Sequence, residues 1–256
     1  MIDTPRLELV DVQKSFAEKI VLAGLNLTLS KGESVVVIGG SGTGKSVMLK
    51  CILGLLHPEK GQIKIDGEDT VSLRGAKREH VLKKFGMLFQ SAALFDSLTV
   101  WENVAFGLIE GAGMDKEQAR IIALEKLSKV GLGEAMAEAD PAGLSGGMRK
   151  RVGLARAIAT EPDIIFFDEP TTGLDPIMGD VINNLITECV RDLGATTLTI
   201  SHDLSSARTI ADRVAMLYEG EIIWTGGVDQ IDHCSNELVD QFIHGRERGP
   251  FALEVT

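Results

Sequence analysis

Cysteine is scarce in this chain. Its three cysteines, Cys51, Cys189 and Cys234, are far apart in the sequence and include no Cys-x-x-Cys pair. An odd number of cysteines at such wide spacing favours neither a disulfide framework nor a zinc site. The cysteine usage fits a reducing compartment.

The sequence also has no excess of positive charge. Lysine and arginine together number 26 against 37 aspartates and glutamates, so the formal net charge is −11. Proteins that bind the phosphate backbone of nucleic acids in general carry a basic face. The composition therefore argues against nucleic acid as a partner.

Long apolar runs are absent as well. The most apolar short stretches, residues 35–38 and 164–167, fall well short of the roughly 20 residues that a membrane-spanning helix needs. Residues 1–6 show no basic region leading into an apolar stretch, so we expect no signal peptide. Any membrane role is expected to come through a partner.

The apolar residues that are present follow strand and helix patterns. Residues 6–12 and 25–29 alternate between apolar and polar, which predicts half-buried strands of a small antiparallel sheet. Residues 34–38, 163–167 and 195–200 are nearly continuous apolar or β-branched runs of the kind buried in parallel sheets. Because helical patterns separate these runs, we expect an α/β fold with a mostly parallel, doubly wound sheet.

The middle and the end of the chain have their own patterns. Residues 98–159 are mostly helical in pattern, as expected of a helical lobe inserted into the α/β core. Strand candidates follow at 214–218 and 221–224, and the last helix candidate lies near 236–244. Residues 245–256 form a polar tail that contains glycine and proline.

A glycine-rich loop follows the strand at 34–38. Residues 39–46, Gly-Gly-Ser-Gly-Thr-Gly-Lys-Ser, fit the pattern G-x-x-x-x-G-K-[ST] between a buried strand and a helix candidate. Glycines let such a backbone curl so that its N–H groups and the helix N-terminus point at phosphate oxygens. Lys45 is then placed to neutralise phosphate charge and Ser46 to bind Mg²⁺. An ordinary glycine-rich turn is the alternative.

Two carboxylates end the apolar run at 163–167. Ligands of doubly wound sheets bind at the carboxyl ends of the strands, so we expect Asp168 and Glu169 to face the same crevice as Lys45. Asp168 is the candidate to hold Mg²⁺ through its water shell. Glu169 is the candidate general base, or orienter, for water that attacks a phosphoanhydride. Taken alone, the segment fits a surface turn equally well.

The sequence Leu-Ser-Gly-Gly-Met at 144–148 makes the interpretation specific. With the loop and the two acids, it resembles the nucleotide-binding subunit of an ATP-binding cassette (ABC) transporter. The resemblance implies an ABC-ATPase core, a P-loop NTPase fold, with an N-terminal antiparallel β-subdomain. It assigns residues 1–230 to this domain, about 91–160 to an inserted helical subdomain, and 231–256 to a C-terminal helix and tail.

The resemblance also implies roles for single residues. Phe16 stands where the family stacks an aromatic ring on adenine, although packing in the core or at a strand edge is the alternative. Gln90 corresponds to the glutamine that reaches Mg²⁺, and His202 to the histidine that contacts the γ-phosphate. Asp175 ends the segment Thr-Gly-Leu-Asp, which follows the acidic strand end and corresponds to the D-loop of the family.

The family resemblance implies a homodimer. Ser145, Gly146 and Gly147 begin a helix, so their hydroxyl and N–H groups offer an anion site. In the family this site completes the nucleotide pocket of the opposite subunit, and the resemblance implies the same arrangement here. The expected site residues are Lys45, Gln90, Glu169 and His202 for catalysis; Phe16, Gly39, Gly40, Ser41, Gly42, Thr43, Gly44, Lys45, Ser46, Ser145, Gly146, Gly147 and Asp175 for ATP; and Ser46, Gln90 and Asp168 for Mg²⁺.

One position departs from the usual signature. Met148 replaces its final glutamine and cannot make the same hydrogen bonds. This signature, with Asp-Glu-Pro-Thr-Thr-Gly-Leu-Asp-Pro-Ile and the ending at 241–245, is similar to the ATPases of Mla and MCE-type phospholipid transporters. That likeness implies a membrane permease, an MCE-domain lipid-binding protein and a STAS-domain protein as partners. It places the chain peripherally on the cytoplasmic face of the inner membrane.

Three other readings remain at this point. An ABC transporter for another substrate would carry the same motifs, and so would a soluble ABC ATPase of iron–sulfur cluster assembly. A P-loop kinase would use the glycine-rich loop. In a kinase, however, the segment at 144–147 and His202 would have no task.

Overall fold

The structure is a computed structural model that describes residues 4–246 and 248–250. In chain order, the strands are β1 (Leu7–Phe16), β2 (Lys19–Leu29), β3 (Ser34–Ile38), β4 (Lys60–Ile65), β5 (Glu68–Asp69), β6 (Phe85–Leu88), β7 (Ile164–Asp168), β8 (Thr196–Ile200), β9 (Arg213–Tyr218) and β10 (Glu221–Gly227). The helices are α1 (Lys45–Ile52), α2 (Gly75–Leu82), α3 (Val100–Phe106), α4 (Lys116–Lys129), α5 (Gly146–Ile158), α6 (Pro176–Leu193), α7 (Leu204–Ile210) and α8 (Glu237–His244).

The chain divides into two units. Unit 1 holds the residues up to Ser72 and those from Ile200 onward, and unit 2 holds Leu73–Thr199. The helices of the predicted lobe at 91–160 lie within unit 2. The bounds of that subdomain stay a prediction, as does the division at 230. Of the predicted tail, residues 247 and 251–256 lie outside the described residues.

The N-terminal sheet of unit 1 is antiparallel, as the alternating pattern predicts. Its strand order is β2-β1-β4-β5. In the β1–β2 hairpin, Leu7 lies opposite Leu29 and Phe16 lies opposite Lys19. The inward-facing leucines of both strands are buried because one face of the sheet packs against the interior. The strands extend well beyond the predicted 6–12 and 25–29.

Unit 1 also contains parallel strands. β3 pairs with β9 in parallel, and β9 turns back at residues 219–220 to pair with β10 in antiparallel fashion. Val35, Val36, Val37 and Ile38 are at most 1% exposed. The continuous apolar run at 34–38 is therefore a strand buried on both faces, as predicted.

Unit 2 combines parallel strands with helices. β6 pairs with β7 in parallel, and β8 follows β7 in the strand order. The segment between β6 and β7 is mostly helical, as predicted for 98–159, and contains α3, α4 and α5. Thr99 and Glu102 form a capping box at the start of α3, and Asp115 caps α4 by accepting from the N–H of Glu117.

Helix α5 lies unusually close to strand β6. A Cβ added at Gly86 would overlap the carbonyl oxygen of Ala157. A Cβ added at Gly153 would come within 2.7 Å of the Leu88 side chain. Glycine at both positions allows the helix and the strand to approach this closely. Strand β6 thereby fixes the position of α5.

None of the helices within residues 4–246 and 248–250 has the length and apolarity that a membrane crossing requires. The longest, α6, has 18 residues and includes charged side chains.

A partly buried ion pair in unit 1 joins Glu33, which precedes β3, to Arg213, the first residue of β9. Arg213 donates from Nε to Glu33 Oε1 at 2.6 Å, and the N–H of Ser30 donates to Glu33 Oε2 at 2.8 Å. Burial raises the pKa of the Glu33 carboxyl, but the hydrogen bonds from Arg213 and Ser30 outweigh it, so the pKa lies below its ordinary 4.5. The ionised carboxylate therefore stabilises the fold above about pH 4.5, and this contribution is lost as the pH falls through the folded-state pKa.

We expect Glu33→Gln to lower the free energy of unfolding at pH 7 by roughly 1–3 kcal/mol, because a charged hydrogen-bonded pair is lost. The difference from the wild type should shrink below pH 4, where the wild-type carboxyl is protonated too. Thermal unfolding followed by circular dichroism at both pH values measures it. Glu8→Gln is the control, because it removes the carboxylate of an ion pair with Lys64 that is more exposed than the pair of Glu33 with Arg213. It should change the free energy of unfolding little. An equal loss at pH 3 and pH 7 would contradict the assignment.

Candidate functional site

The glycine-rich loop of unit 1 has the predicted strand–loop–helix context. β3 ends at Ile38, and α1 begins at Lys45. Gly44, with φ +108, is the N-cap residue of α1 and, being glycine, provides no side chain to cap the first N–H groups of the helix. These N–H groups and the positive end of the helix are the usual partners of a phosphate.

The glycines of this loop are required by its shape. A Cβ at Gly39 would overlap the carbonyl oxygen of Leu217, and one at Gly44 would come within 2.8 Å of the carbonyl oxygen of Val21. Gly42 has φ +78 but no atom within 4 Å of its added Cβ. The loop therefore runs against unit 1 at its two ends and stands open in the middle, as a cradle for a ligand does.

Lys45 lies inside the curve of the loop. Its side chain is buried, and Nζ donates to the carbonyl oxygens of Gly39 and Gly40, each at 2.7 Å. Thr43 Oγ1 also donates to Gly40 O, at 3.0 Å. Ser46, in the first turn of α1, is exposed. The loop thus presents a cation, backbone donors and a hydroxyl group in one short segment.

Phe16 and His202 are the other predicted site residues of unit 1. The Phe16 ring is 46% exposed at the end of β1, and Lys14 Nζ lies 5.3 Å from its centroid. Such exposure disfavours packing in the core, whereas packing at the strand edge remains the alternative to adenine stacking. His202 is exposed between β8 and α7, just before Asp203, which caps α7 by accepting from the N–H of Ser205.

The acidic pair of unit 2 ends a fully buried strand. Asp168 is the last residue of β7, and Glu169 follows with φ +50. A non-glycine residue in the left-handed region is uncommon and is strained by about 1–3 kcal/mol. Thr172 Oγ1 donates to Glu169 Oε2 at 2.8 Å. The carboxylate is half-buried and held in one orientation.

The segment at 144–148 begins helix α5, as predicted. Ser145 is the N-cap, and its hydroxyl accepts from the N–H of Met148 at 3.3 Å. Ser145 and Gly146 are exposed, whereas Gly147 is buried. Asp175 caps α6 by accepting from the N–H of Met178 at 3.0 Å. The structure therefore gives Asp175 a capping role in its own chain, in addition to the nucleotide contact expected of it.

Sequence reasoning missed one polar residue of unit 2. Lys150, in α5, is 4% exposed. Its Nζ donates to the carbonyl oxygen of Gln90 at 2.6 Å and to that of Glu169 at 3.1 Å. Within unit 2, the structure thus brings the predicted Gln90, the predicted Glu169 and helix α5 together around one ammonium group.

Burial lowers the pKa of Lys150 to about 8, although the nearby negative charges of Asp168 and Glu169 act in the opposite direction. Position 150 lies one turn after the predicted signature, at i, i+3 and i+7 spacing with Gly153 and Ala157, which face β6. This spacing was the one signal in the sequence that a buried lysine occurs there.

The predicted metal ligands are all oxygen donors. Ser46 offers a hydroxyl group, Gln90 an amide oxygen and Asp168 a carboxylate. Residues 4–246 and 248–250 contain no group of three or more His, Cys, Asp or Glu that could hold a metal ion. An oxygen donor set with a single carboxylate is typical of Mg²⁺, which keeps waters and binds the phosphates of its nucleotide, and not of a cage for Zn²⁺.

Comparison with known proteins gives consistent results. The family model described as "ABC transporter" matches residues 22–172. The chain is 39% identical over 247 residues to the "Probable ribonucleotide transport ATP-binding protein mkl" of Mycobacterium tuberculosis, covering 96% of this chain and 68% of that protein. It is 41% identical over 233 residues to the "Intermembrane phospholipid transport system ATP-binding protein MlaF" of Haemophilus influenzae, covering 91% of this chain and 88% of that protein.

A solved structure is similar in fold as well. It is the "Dimeric structure of a post-hydrolysis state of the ATP-binding cassette MJ0796 bound to ADP and Pi". The TM-score is 0.79 at 35% sequence identity, and the match covers 87% of this chain and 98% of that chain.

We expect Gly39→Ala to lower the melting temperature more than Gly42→Ala does. Both glycines lie in the same loop with positive φ, +156 and +78, so alanine is strained at either position, but only at Gly39 would the new methyl group also overlap backbone. Overpacking of this kind costs roughly 1–3 kcal/mol. Thermal unfolding of both variants beside the wild type measures the difference. Equal melting temperatures would mean that the loop does not pack against residue 217.

Proposed function

The chain belongs to the ABC transporter family and is an ATPase of that family with the ABC cassette fold, and from this premise we propose that it is the motor subunit of a transporter that moves phospholipid between membranes. The observation that carries the ATPase role in this proposal is the phosphate loop with Lys45 at its centre, together with the oriented carboxylate of Glu169. Each reaction role below belongs to the proposal.

ATP binds through the phosphate loop. The open middle of the loop and the start of α1 fit a phosphate chain, because the N-cap residue is glycine, which has no side chain to compete for the first N–H groups of the helix. Lys45 then exchanges its carbonyl partners for phosphate oxygens and neutralises their charge. The proposed contacts of this segment are those of Gly39, Gly40, Ser41, Gly42, Thr43, Gly44, Lys45 and Ser46. Phe16 stacks on the adenine ring.

Mg²⁺ is the proposed cofactor. Ser46, Gln90 and Asp168 fit it as oxygen donors, with Asp168 acting through the metal's water shell. When bound, the ion supplies charge neutralisation at the β- and γ-phosphates.

Glu169 acts on the attacking water. Its carboxylate accepts from Thr172 through Oε2, so one oxygen is fixed and the carboxyl plane is set. The carboxylate accepts the proton of the water, or orients that water, as the water attacks the γ-phosphorus. His202 donates to the γ-phosphate, where negative charge develops as the bond to the leaving ADP oxygen breaks.

The working form is a homodimer. Each chain has one phosphate loop and one signature segment, and the exposed Ser145 and Gly146 leave the start of α5 accessible to a second molecule. The related ATP-binding cassette bound to ADP and Pi is dimeric. In the proposed dimer, Ser145, Gly146, Gly147 and Asp175 of one subunit complete the nucleotide site of the other.

The proposed cargo is phospholipid. Relatives of Haemophilus influenzae and Escherichia coli, 41% and 36% identical, are named for intermembrane phospholipid transport. Both matches span at least 88% of those relatives. The mycobacterial relative is named for ribonucleotide transport, which makes another cargo the second candidate. The proposed partners are a membrane permease, an MCE-domain lipid-binding protein and a STAS-domain protein, at the cytoplasmic face of the inner membrane.

Replacing Glu169 tests the catalytic assignment. We expect Glu169→Gln to bind ATP with near wild-type affinity and to lose at least 100-fold in kcat, because the amide cannot accept the proton of water. Binding of a fluorescent ATP analogue and phosphate release measure the two quantities. Sedimentation of Glu169→Gln in the presence of ATP should also detect an accumulated dimer, since hydrolysis no longer separates its two subunits.

The matched control is Glu161→Gln. Glu161 shares the left-handed backbone conformation of Glu169 in the same unit but pairs with Lys126. Its replacement should leave kcat within about twofold of the wild type. Substantial turnover in Glu169→Gln would remove Glu169 from the catalytic role.

Purification from detergent-solubilised membranes tests the partners and the cargo. We expect the tagged Glu169→Gln chain, held in ATP and Mg²⁺, to bring down a multi-span permease and an MCE-domain protein, with phospholipid in the purified complex. The same purification from the membrane-free fraction is the control. Recovery of soluble scaffold proteins alone would favour an assembly ATPase, and bound ribonucleotide in place of lipid would favour the second cargo.

A further inference from the structure

Helix α5 contacts the segment after β6 with two long cations. Lys150 donates to the carbonyl oxygen of Gln90 at 2.6 Å. Arg156 donates to the carbonyl oxygens of Ala92 and Ala93, at 2.5 and 2.8 Å. Both alanines have positive φ, 62° and 44°. A segment in so uncommon a conformation persists when its surroundings hold it, and here the surroundings are side chains of α5.

Lys150 differs from Arg156 in having a second partner outside this segment. The same ammonium donates to the carbonyl oxygen of Glu169 at 3.1 Å. Glu169 also has a strained backbone, with φ +50. One buried cation therefore joins the backbone that carries the proposed general base to the backbone that carries Gln90.

The helix that holds Lys150 has little freedom to move away. Its glycine contacts with β6, at Gly86 and Gly153, leave no room for a Cβ. Close packing therefore sets the position of the Lys150 ammonium group. The carbonyl groups of Gln90 and Glu169 are held in place by donation from that group.

We propose that Lys150 is a positioning residue for ATP hydrolysis, because its ammonium group fixes the backbone at Gln90 and at Glu169 relative to each other and to the helix that begins with the signature segment. The inference rests on the proposed function of Glu169 and goes beyond it. It predicts that the orientation of the Glu169 carboxylate depends on a residue that touches neither nucleotide nor water.

The test compares Lys150→Met with a matched control variant. Each variant is made in the whole chain, and its ATPase activity is measured in the complex that copurifies with the chain. Methionine keeps the length and the apolar stem but removes the donors. Lys126→Met is the control, because Lys126 is an equally buried lysine of the same unit, 3% exposed, whose Nζ binds Glu161 at 2.8 Å and neither carbonyl group. Lys150→Gln, which keeps a shorter donor, replaces the methionine variant if that variant does not fold.

Two readouts separate positioning from stability. We expect Lys150→Met to lower kcat at least tenfold while KM for ATP changes less than twofold. Amide hydrogen exchange, followed by mass spectrometry, should become faster in peptides covering 88–94 and 168–174 together. Lys126→Met should keep kcat within twofold and leave exchange in both peptides unchanged, although its melting temperature falls.

The outcomes also separate this inference from the proposed function. Wild-type kcat in Lys150→Met, or unchanged exchange in either peptide, overturns the positioning role when Glu169→Gln abolishes turnover. Normal turnover in Glu169→Gln overturns the catalytic assignment instead, whatever Lys150→Met does. A loss of kcat in Lys126→Met equal to that in Lys150→Met would overturn the inference as well, since general destabilisation would then explain both.

Discussion

The structure depends on burying short apolar strands that end abruptly in polar groups. Every residue of β7 before Asp168 is fully buried, and β3 is nearly so. Each large apolar side chain stabilises the fold by roughly 1.5–3 kcal/mol when buried. The left-handed conformation of Glu169 costs about 1–3 kcal/mol. Burial of the strand outweighs this cost several times over, so the strand holds a strained, chemically useful residue at its end.

Close backbone approach is the second constraint. Gly39 lets the phosphate loop lie against residue 217, and Gly86 lets α5 lie against β6. In each case, a side chain would push a polar segment away from the strand that positions it. The glycines therefore position these segments by allowing two stretches of backbone to lie close together, in addition to providing the conformational freedom usually attributed to glycine.

The sequence was sufficient for the parts of the fold with strong periodicity. β3, β7, the phosphate loop and α5 follow from apolar runs and from glycine spacing, and the structure has them where they were predicted. Strands β4 and β5 and helix α2 were not predicted. In β4 only Ile63 and Ile65 alternate with polar residues, and α2 buries only Val81, so each element has too few apolar positions for a strong periodic pattern.

Part of the candidate site was likewise beyond sequence reasoning. A motif identifies Glu169 and Gln90, but the bridge between them depends on carbonyl groups, which every residue has. The side chain that reaches both, Lys150, lies 60 residues from Gln90 in the chain. The spacing of Lys150 with Gly153 and Ala157 places it on the packed face of α5, but only the tertiary packing of α5 on β6 brings these groups together.

The partners of the buried lysines indicate which of them serve function. Lys126 binds the carboxylate of Glu161, which cancels its charge, and such a pair acts in stability. Lys45 and Lys150 instead donate to pairs of backbone carbonyl groups. Carbonyl oxygens satisfy the N–H donors without cancelling the positive charge. The field of Lys150 therefore still acts on the nearby carboxylates of Asp168 and Glu169.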